Sequence, residues 1–86
     1  MNNLEYLYLH HNNMDTSAIE NVILDLNSLK YLNLSSNNFH ELYKETFKKL
    51  PKLKFLNLQN NHLEHLKNQF QYLVELIILE LDKNEI

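Results

Sequence analysis

One spacing recurs four times along this 86-residue chain and constrains its fold more than any other feature. Leu4, Leu7, Leu9, Asn12 and Met14 set the pattern L-x-x-L-x-L-x-x-N-x-φ, where φ is apolar. It returns as Leu29, Leu32, Leu34, Asn37 and Phe39, then as Leu53, Leu56, Leu58, Asn61 and Leu63. A fourth copy reads Leu76, Leu79, Leu81, Asn84 and Ile86. The starts lie 25, 24 and 23 residues apart. Every first, fourth and sixth position is leucine, and every ninth is asparagine. A unit this short cannot enclose its own apolar side chains, so neighbouring copies must stack to bury them.

Composition narrows the chemistry that such a stack could carry. The chain has no glycine, which excludes the glycine-rich phosphate loop and the dinucleotide-binding turn, both of which need backbone that a Cβ would obstruct. It has no cysteine, and so no disulfide framework, thiolate metal site or thiol nucleophile. All 8 basic residues are lysine, against 11 acidic ones, for a net charge of −3. Without arginine, base readout and bidentate phosphate recognition lose their preferred side chain, so nucleic acid is not an expected partner. No apolar run approaches the ~20 residues that span a bilayer, which argues against membrane insertion by this segment. Met1-Asn2-Asn3 leads directly into the pattern, with no signal-peptide character.

The pattern resembles that of leucine-rich repeat proteins, in their ~24-residue class. Repeat 2 matches from end to end as LKYLNLSSNNFHELYKETFKKLPK, with Leu42, Phe47 and Leu50 at the later apolar positions. Repeat 3 follows with Leu66, Phe70 and Leu73, and repeat 1 departs most, placing Ile23 and Leu26 there. The resemblance implies an α/β fold: a right-handed, curved solenoid with a short-stranded parallel sheet on the concave face and loops or short helical turns on the convex face. The whole chain, 1–86, is then a single array without caps. Its repeats are 4–28, 29–52 and 53–75, with a partial repeat at 76–86. The class resembles Toll-like receptor, slit and chaoptin-type ectodomains, which implies an extracellular or receptor setting, a protein ligand and the status of a fragment. The alternatives left open are an intracellular scaffold and a purely structural segment of a longer solenoid.

The residues make their own predictions. Positions 3 to 5 of each unit should form a strand, its fourth-position leucine inward and its neighbours outward. Asn12, Asn37, Asn61 and Asn84 should bond backbone where the chain turns away, and asparagine's tolerance of left-handed backbone would stand in for the missing glycine. Ser17-Ala-Ile-Glu20 has capping-box form and predicts a helix over 17–26. One or two helical turns are expected over 45–50, stopped at Pro51. Phe47, Phe70 and Ile23 should stack as a spine under the convex surface.

Function is expected on the concave face. Position 3 reads Tyr6, Tyr31, Phe55 and Ile78, and position 5 reads Tyr8, Asn33, Asn57 and Glu80. An aromatic column on an open sheet suits protein recognition, since tyrosine is enriched at binding hot spots. It also suits cross-strand stacking at ~4.8 Å strand spacing. Tyr6, Tyr8, Tyr31, Asn33, Phe55 and Asn57 are the candidate contacts. Four strands span roughly 14 Å, so the face offers on the order of 300 Å², against ~800 Å² per partner in a standard interface. Asn33-Leu34-Ser35 matches the N-glycosylation acceptor and makes Asn33 a candidate glycan site. His62 and His65 lack a persuasive second ligand pair, no serine–histidine–acid or paired-carboxylate arrangement can be traced, and no cofactor, metal or catalytic residue is assigned. The open apolar ends predict self-association.

Overall fold

A computed structural model describes residues 3–86. Met1 and Asn2, part of the signal-peptide reading, lie outside the described residues. Four three-residue strands form one parallel sheet in sequence order: β1 (Tyr6–Tyr8), β2 (Tyr31–Asn33), β3 (Phe55–Asn57) and β4 (Ile78–Glu80). The register is the repeat itself, with Tyr6 opposite Tyr31, Tyr31 opposite Phe55 and Phe55 opposite Ile78. Two short helices, α1 (Thr16–Val22) and α2 (Lys44–Phe47), lie on the connections after β1 and β2. This is an α/β solenoid with its sheet on one face and its returns on the other.

The core is the leucine lattice. Leu29, Leu32, Leu53, Leu56 and Leu58 are fully buried, as are Phe39 and Leu63 at the apolar position after each asparagine. Leu4, Leu7, Leu9 and Met14 at one end, and Leu76, Leu79 and Leu81 at the other, are only partly buried. Burial thus follows the number of neighbours a repeat has, as it must in a stack where each unit touches only the next. Ile23 is fully buried, and the Phe47 and Phe70 rings meet at 5.6 Å on the return side.

Both helices depart from the sequence expectation. The first begins one residue before Ser17 and ends at Val22, short of Leu26. Its cap is Asp15, whose Oδ1 accepts from the Ala18 N–H at 3.0 Å. Glu20 does not reach back to close a capping box; it accepts from the Thr46 hydroxyl and the Lys49 ammonium of the next repeat. Beyond Val22 the chain turns at Leu24-Asp25, which lets Leu26 enter the core while Leu24 stays exposed. The second helix is a single turn over Lys44–Phe47 rather than 45–50. Bonds over three residues, from Lys49 N–H to the Thr46 carbonyl at 3.4 Å and from Leu50 N–H to the Phe47 carbonyl at 3.0 Å, then accompany the inward turn of Leu50.

The left-handed backbone falls on two asparagines, Asn13 and Asn60, and on three residues of other types. His11, Ser36, Asn60 and Lys83 have φ of 59°, 55°, 57° and 58°. All four occupy the eighth position, one residue before the ladder asparagine, and only in repeat 3 is that residue an asparagine. Asn13 adds a fifth positive φ, at 53°. The turn sets this geometry, and four different non-glycine side chains (histidine, serine, asparagine and lysine) occupy it, at a cost of about 1–2 kcal/mol. Ser36→Gly should therefore stay within about 0.5 kcal/mol of the parent, while Ser36→Val, β-branched at positive φ, should cost about 1–2 kcal/mol. Urea unfolding at 25 °C measures both, and equal effects would contradict the turn as the cause.

Candidate recognition face

The strands' two-residue alternation sends positions 3 and 5 to the open face and position 4 into the core. Tyr6 and Tyr8, on the first strand, are 58% and 55% exposed, whereas Tyr31 and Phe55 are half-buried. The difference comes from packing within the column. Tyr31 stacks on Phe55 with centroids 4.3 Å apart and planes 4° apart, and takes Tyr8 at 5.0 Å and Tyr6 at 5.9 Å on its other side. Burial pushes the Tyr31 hydroxyl above its ordinary value of 10.0, and the charges of Tyr8 and Glu80 push the same way. At the rim Tyr8 meets His10 edge-on at 6.4 Å, and Lys30 pairs with Glu5 at 3.6 Å, an exposed bridge of little energetic weight.

Asn33 and Asn57 occupy the face differently from the aromatics. The Asn33 Oδ1 accepts from the Ser35 N–H at 3.0 Å and the Ser35 hydroxyl at 2.7 Å. The Asn57 Oδ1 accepts from the Gln59 N–H at 2.9 Å. Both are Asx turns that lead the chain out of its strand. The same turn forms at Asn57 without a hydroxyl partner, so the Asn33–Ser35 spacing has a conformational cause independent of glycosylation. The signal was present as asparagine at position 5 of two successive repeats.

Below the strands the ninth-position asparagines form a directional ladder. The Asn37 Oδ1 accepts from the N–H groups of Asn12 and Met14, and its Nδ2 donates to the carbonyls of Leu9, Leu34 and Ser35. Asn61 repeats this with the Phe39 N–H and the carbonyls of Leu34, Leu58 and Gln59. Asn84 does so with the Leu63 N–H and the carbonyls of Leu58, Leu81 and Asp82. Each carboxamide therefore grips its own turn and the repeat before it. Asn12, exposed at the first repeat, donates to Leu9 and His10 of its own turn.

The remaining polar groups do not converge on chemistry. His62 Nδ1 lies 2.9 Å from Glu85 Oε2, and the His40 ring stacks on His62 at 4.9 Å. No group of three or more histidines and carboxylates among the described residues is arranged to hold a metal ion. Two lysines beside the second return are engaged singly: Lys49 pairs with Glu20, and Lys48 sits 5.4 Å over the Tyr72 ring. A groove of about 450 Å³, lined by His40, Glu41, Tyr43, Glu64, His65 and Lys67, lies among the loops that follow two of the ladder turns. It mixes both charges and was not signalled by the repeat pattern. No described helix is long and apolar enough to cross a membrane.

Two outcomes follow from this geometry. Asn61→Ala strands one buried donor and several carbonyls, and should cost about 3 kcal/mol, while Asn12→Ala should cost less than about 1 kcal/mol. Chemical denaturation of the two variants checks the contrast, and equal losses would remove the inter-repeat bonds as its source. Tyr31 should also shape alkaline stability. Its folded-state pKa is raised, so the unfolded chain releases this proton first. Stability is unaffected below pH 10, falls as pH rises from there, and levels off above the folded value. Tyr31→Phe should flatten that fall in urea midpoints recorded from about pH 9 to 12.

No curated protein matches the chain. The family model described as Leucine rich repeat matches residues 27–86, and a second model of the same description matches residues 3–26. With the pattern, the parallel four-stranded sheet and these matches in agreement, the chain belongs to the leucine-rich repeat family.

Proposed function

We propose that this chain is a protein-recognition segment of a longer leucine-rich repeat array, of the receptor or adhesion type, whose repeats are residues 4–28, 29–52, 53–75 and 76–86. Leucine-rich repeats generally serve as non-enzymatic modules that bind proteins, and this chain is read the same way, with no catalytic role. The observation that carries the reading is the aromatic column of Tyr6, Tyr8, Tyr31 and Phe55 on the open face of the sheet. Its stacked amphipathic rings are the kind of surface that anchors a protein ligand. The small area of the face, on the order of 300 Å², supports a role shared with further repeats rather than tight binding by these four alone.

Within this reading Tyr6 and Tyr8 are the primary contacts, with Tyr31 and Phe55 as their platform. Asn33 and Asn57 offer their remaining amide edges. An ectodomain setting would make Asn33 a glycan acceptor at the centre of the face. A structural reading is favoured by the flat Tyr31–Phe55 stack and by the Asx turns, which already engage four of the six candidate residues.

Peptides selected from a displayed library against the 86-residue chain separate the two. Tyr6→Ala and Tyr8→Ala should each weaken the selected peptides by about tenfold while shifting the melting temperature by less than about 4 °C. Unchanged peptide binding, or losses that track the melting temperature, would leave the face with a structural role only.

A further inference from the structure

The ladder turns of repeats 2 and 3 are each followed by a histidine and a carboxylate, in exchanged order. At positions 12 and 13 repeat 2 reads His40-Glu41, and repeat 3 reads Glu64-His65. Stacking therefore sets His40 and Glu64 in one column and Glu41 and His65 in the next. Position 14 is leucine in both repeats, and position 15 is Tyr43 in one and Lys67 in the other. The groove of about 450 Å³ lies between these stretches, with buried Leu42 in its lining beside Tyr43, which is 50% exposed. Both walls belong to inner repeats, 29–52 and 53–75.

The walls are held by bonds of their own. The Thr16 hydroxyl donates to the Glu41 carbonyl, and the Tyr43 hydroxyl donates to Glu41 Oε1 at 3.1 Å. On the other wall the Gln69 side chain accepts from the Lys67 N–H at 2.6 Å and donates to the His65 carbonyl at 3.4 Å. The charged ends stay free. Among the described residues the Glu64 carboxylate, the His65 ring and the Lys67 ammonium have no hydrogen bond or ion pair.

This lining selects an organic cation. No three of its histidines and carboxylates are arranged to hold a metal ion. The Tyr43 hydroxyl is held above its ordinary value of 10.0, chiefly by its bond to the Glu41 carboxylate and that carboxylate's charge, with Glu20 adding to it. A field that opposes a phenolate there favours a positive group. An aromatic face, two carboxylates and an aliphatic floor suit a guanidinium on its methylene stem better than an ammonium. The planar fork stacks on a ring and bonds carboxylates in pairs.

We propose that this groove receives an arginine side chain of a partner protein, with the guanidinium against the Tyr43 ring and within reach of the Glu41 and Glu64 carboxylates. Lys67 opposes the bound cation and keeps the affinity modest. His40 and His65 make the site sensitive to pH, since histidine is the side chain whose charge changes between about pH 5 and 8. With both rings neutral, the two carboxylates outnumber the Lys67 ammonium; with both protonated, the positive groups outnumber the carboxylates. Neighbouring charges are already engaged. The His40 ring stacks on His62, whose Nδ1 lies 2.9 Å from Glu85 Oε2, and Glu20 is held by Thr46 and Lys49. Arginine thus binds at neutral pH and leaves on acidification. None of these residues belongs to the concave column, so the groove and that face stand or fall separately.

Nuclear magnetic resonance of the isotopically labelled chain tests the site, with acetyl-arginine methylamide and its uncharged isostere acetyl-citrulline methylamide as probes. At about pH 7.5 the amide signals of residues 40–43 and 64–69 should shift saturably with the arginine probe, with a Kd on the order of 10 mM, and citrulline should bind at least about fivefold more weakly. At about pH 5.5 arginine should bind about tenfold more weakly. Glu64→Gln should weaken it about threefold and Lys67→Gln should strengthen it by a similar factor, while Glu75→Gln, outside the groove, changes nothing. The double variant His40→Gln/His65→Gln should bind alike at both pH values. All the substituted side chains are exposed, and the dispersed amide spectrum verifies the fold at each pH. Equal binding of arginine and citrulline, shifts scattered beyond the groove, or no saturation below about 100 mM would overturn the site. Tighter binding of inorganic phosphate at about pH 5.5 than of arginine at about pH 7.5 would make it an anion site instead. A pH dependence retained in the double variant would overturn the role of the two histidines.

Discussion

A chain that climbs one strand spacing every 23 to 25 residues must leave each strand at the same height and by the same turn. The buried asparagine carboxamide fixes that height. It occupies the one place where the turn of a repeat, the turn of its predecessor and the leucine core all meet, and it meets the hydrogen-bonding needs of both turns at once. Asn37 and Asn61 are 8% and 4% exposed, in surroundings where an unbonded carbonyl or N–H would be costly. With those groups satisfied, the leucines at positions 1, 4 and 6 fall into columns, and the strands come into register without a helix long enough to brace them. The candidate face inherits its geometry from the same source, because positions 3 and 5 project outward only where position 4 is held inward.

The strand half of each repeat was readable from its residues because spacing and chemistry there are one signal. A leucine at position 4 is both the inward residue of a strand and the core of the stack. The return half was not, because it is decided by contacts that sequence distance conceals. Ser17 and Asp15 are both competent caps. The choice of Asp15 goes with bonds made a repeat away, where Thr16 bonds the Glu41 carbonyl and Glu20 bonds Thr46. Likewise the left-handed residue precedes the asparagine instead of coinciding with it. Serine and lysine carry no propensity that would announce the position, and only the recurrence of φ near 57° at Asn60 and its equivalents reveals it.

The candidate site divides along the same line. Its aromatic residues were identifiable as an outward column, but their unequal exposure was not, because it arises from a sheet that has neighbours on both sides of Tyr31 and on only one side of Tyr6. The asparagines at position 5 looked like free recognition groups and are instead engaged in the turns. In the proposed reading, the first strand combines the most exposed rings with a layer beneath that is only half-buried.

The direction of the ladder has a consequence for the order in which the fold can assemble. Between repeats each carboxamide reaches only to the one synthesised before it, so a repeat leaving the ribosome closes the bonds within its own turn at once but gains its inter-repeat partner only after about 24 more residues have followed. The folded boundary then trails the growing end by one unit. The nascent chain carries a single unfinished layer at any moment, however many layers are already complete.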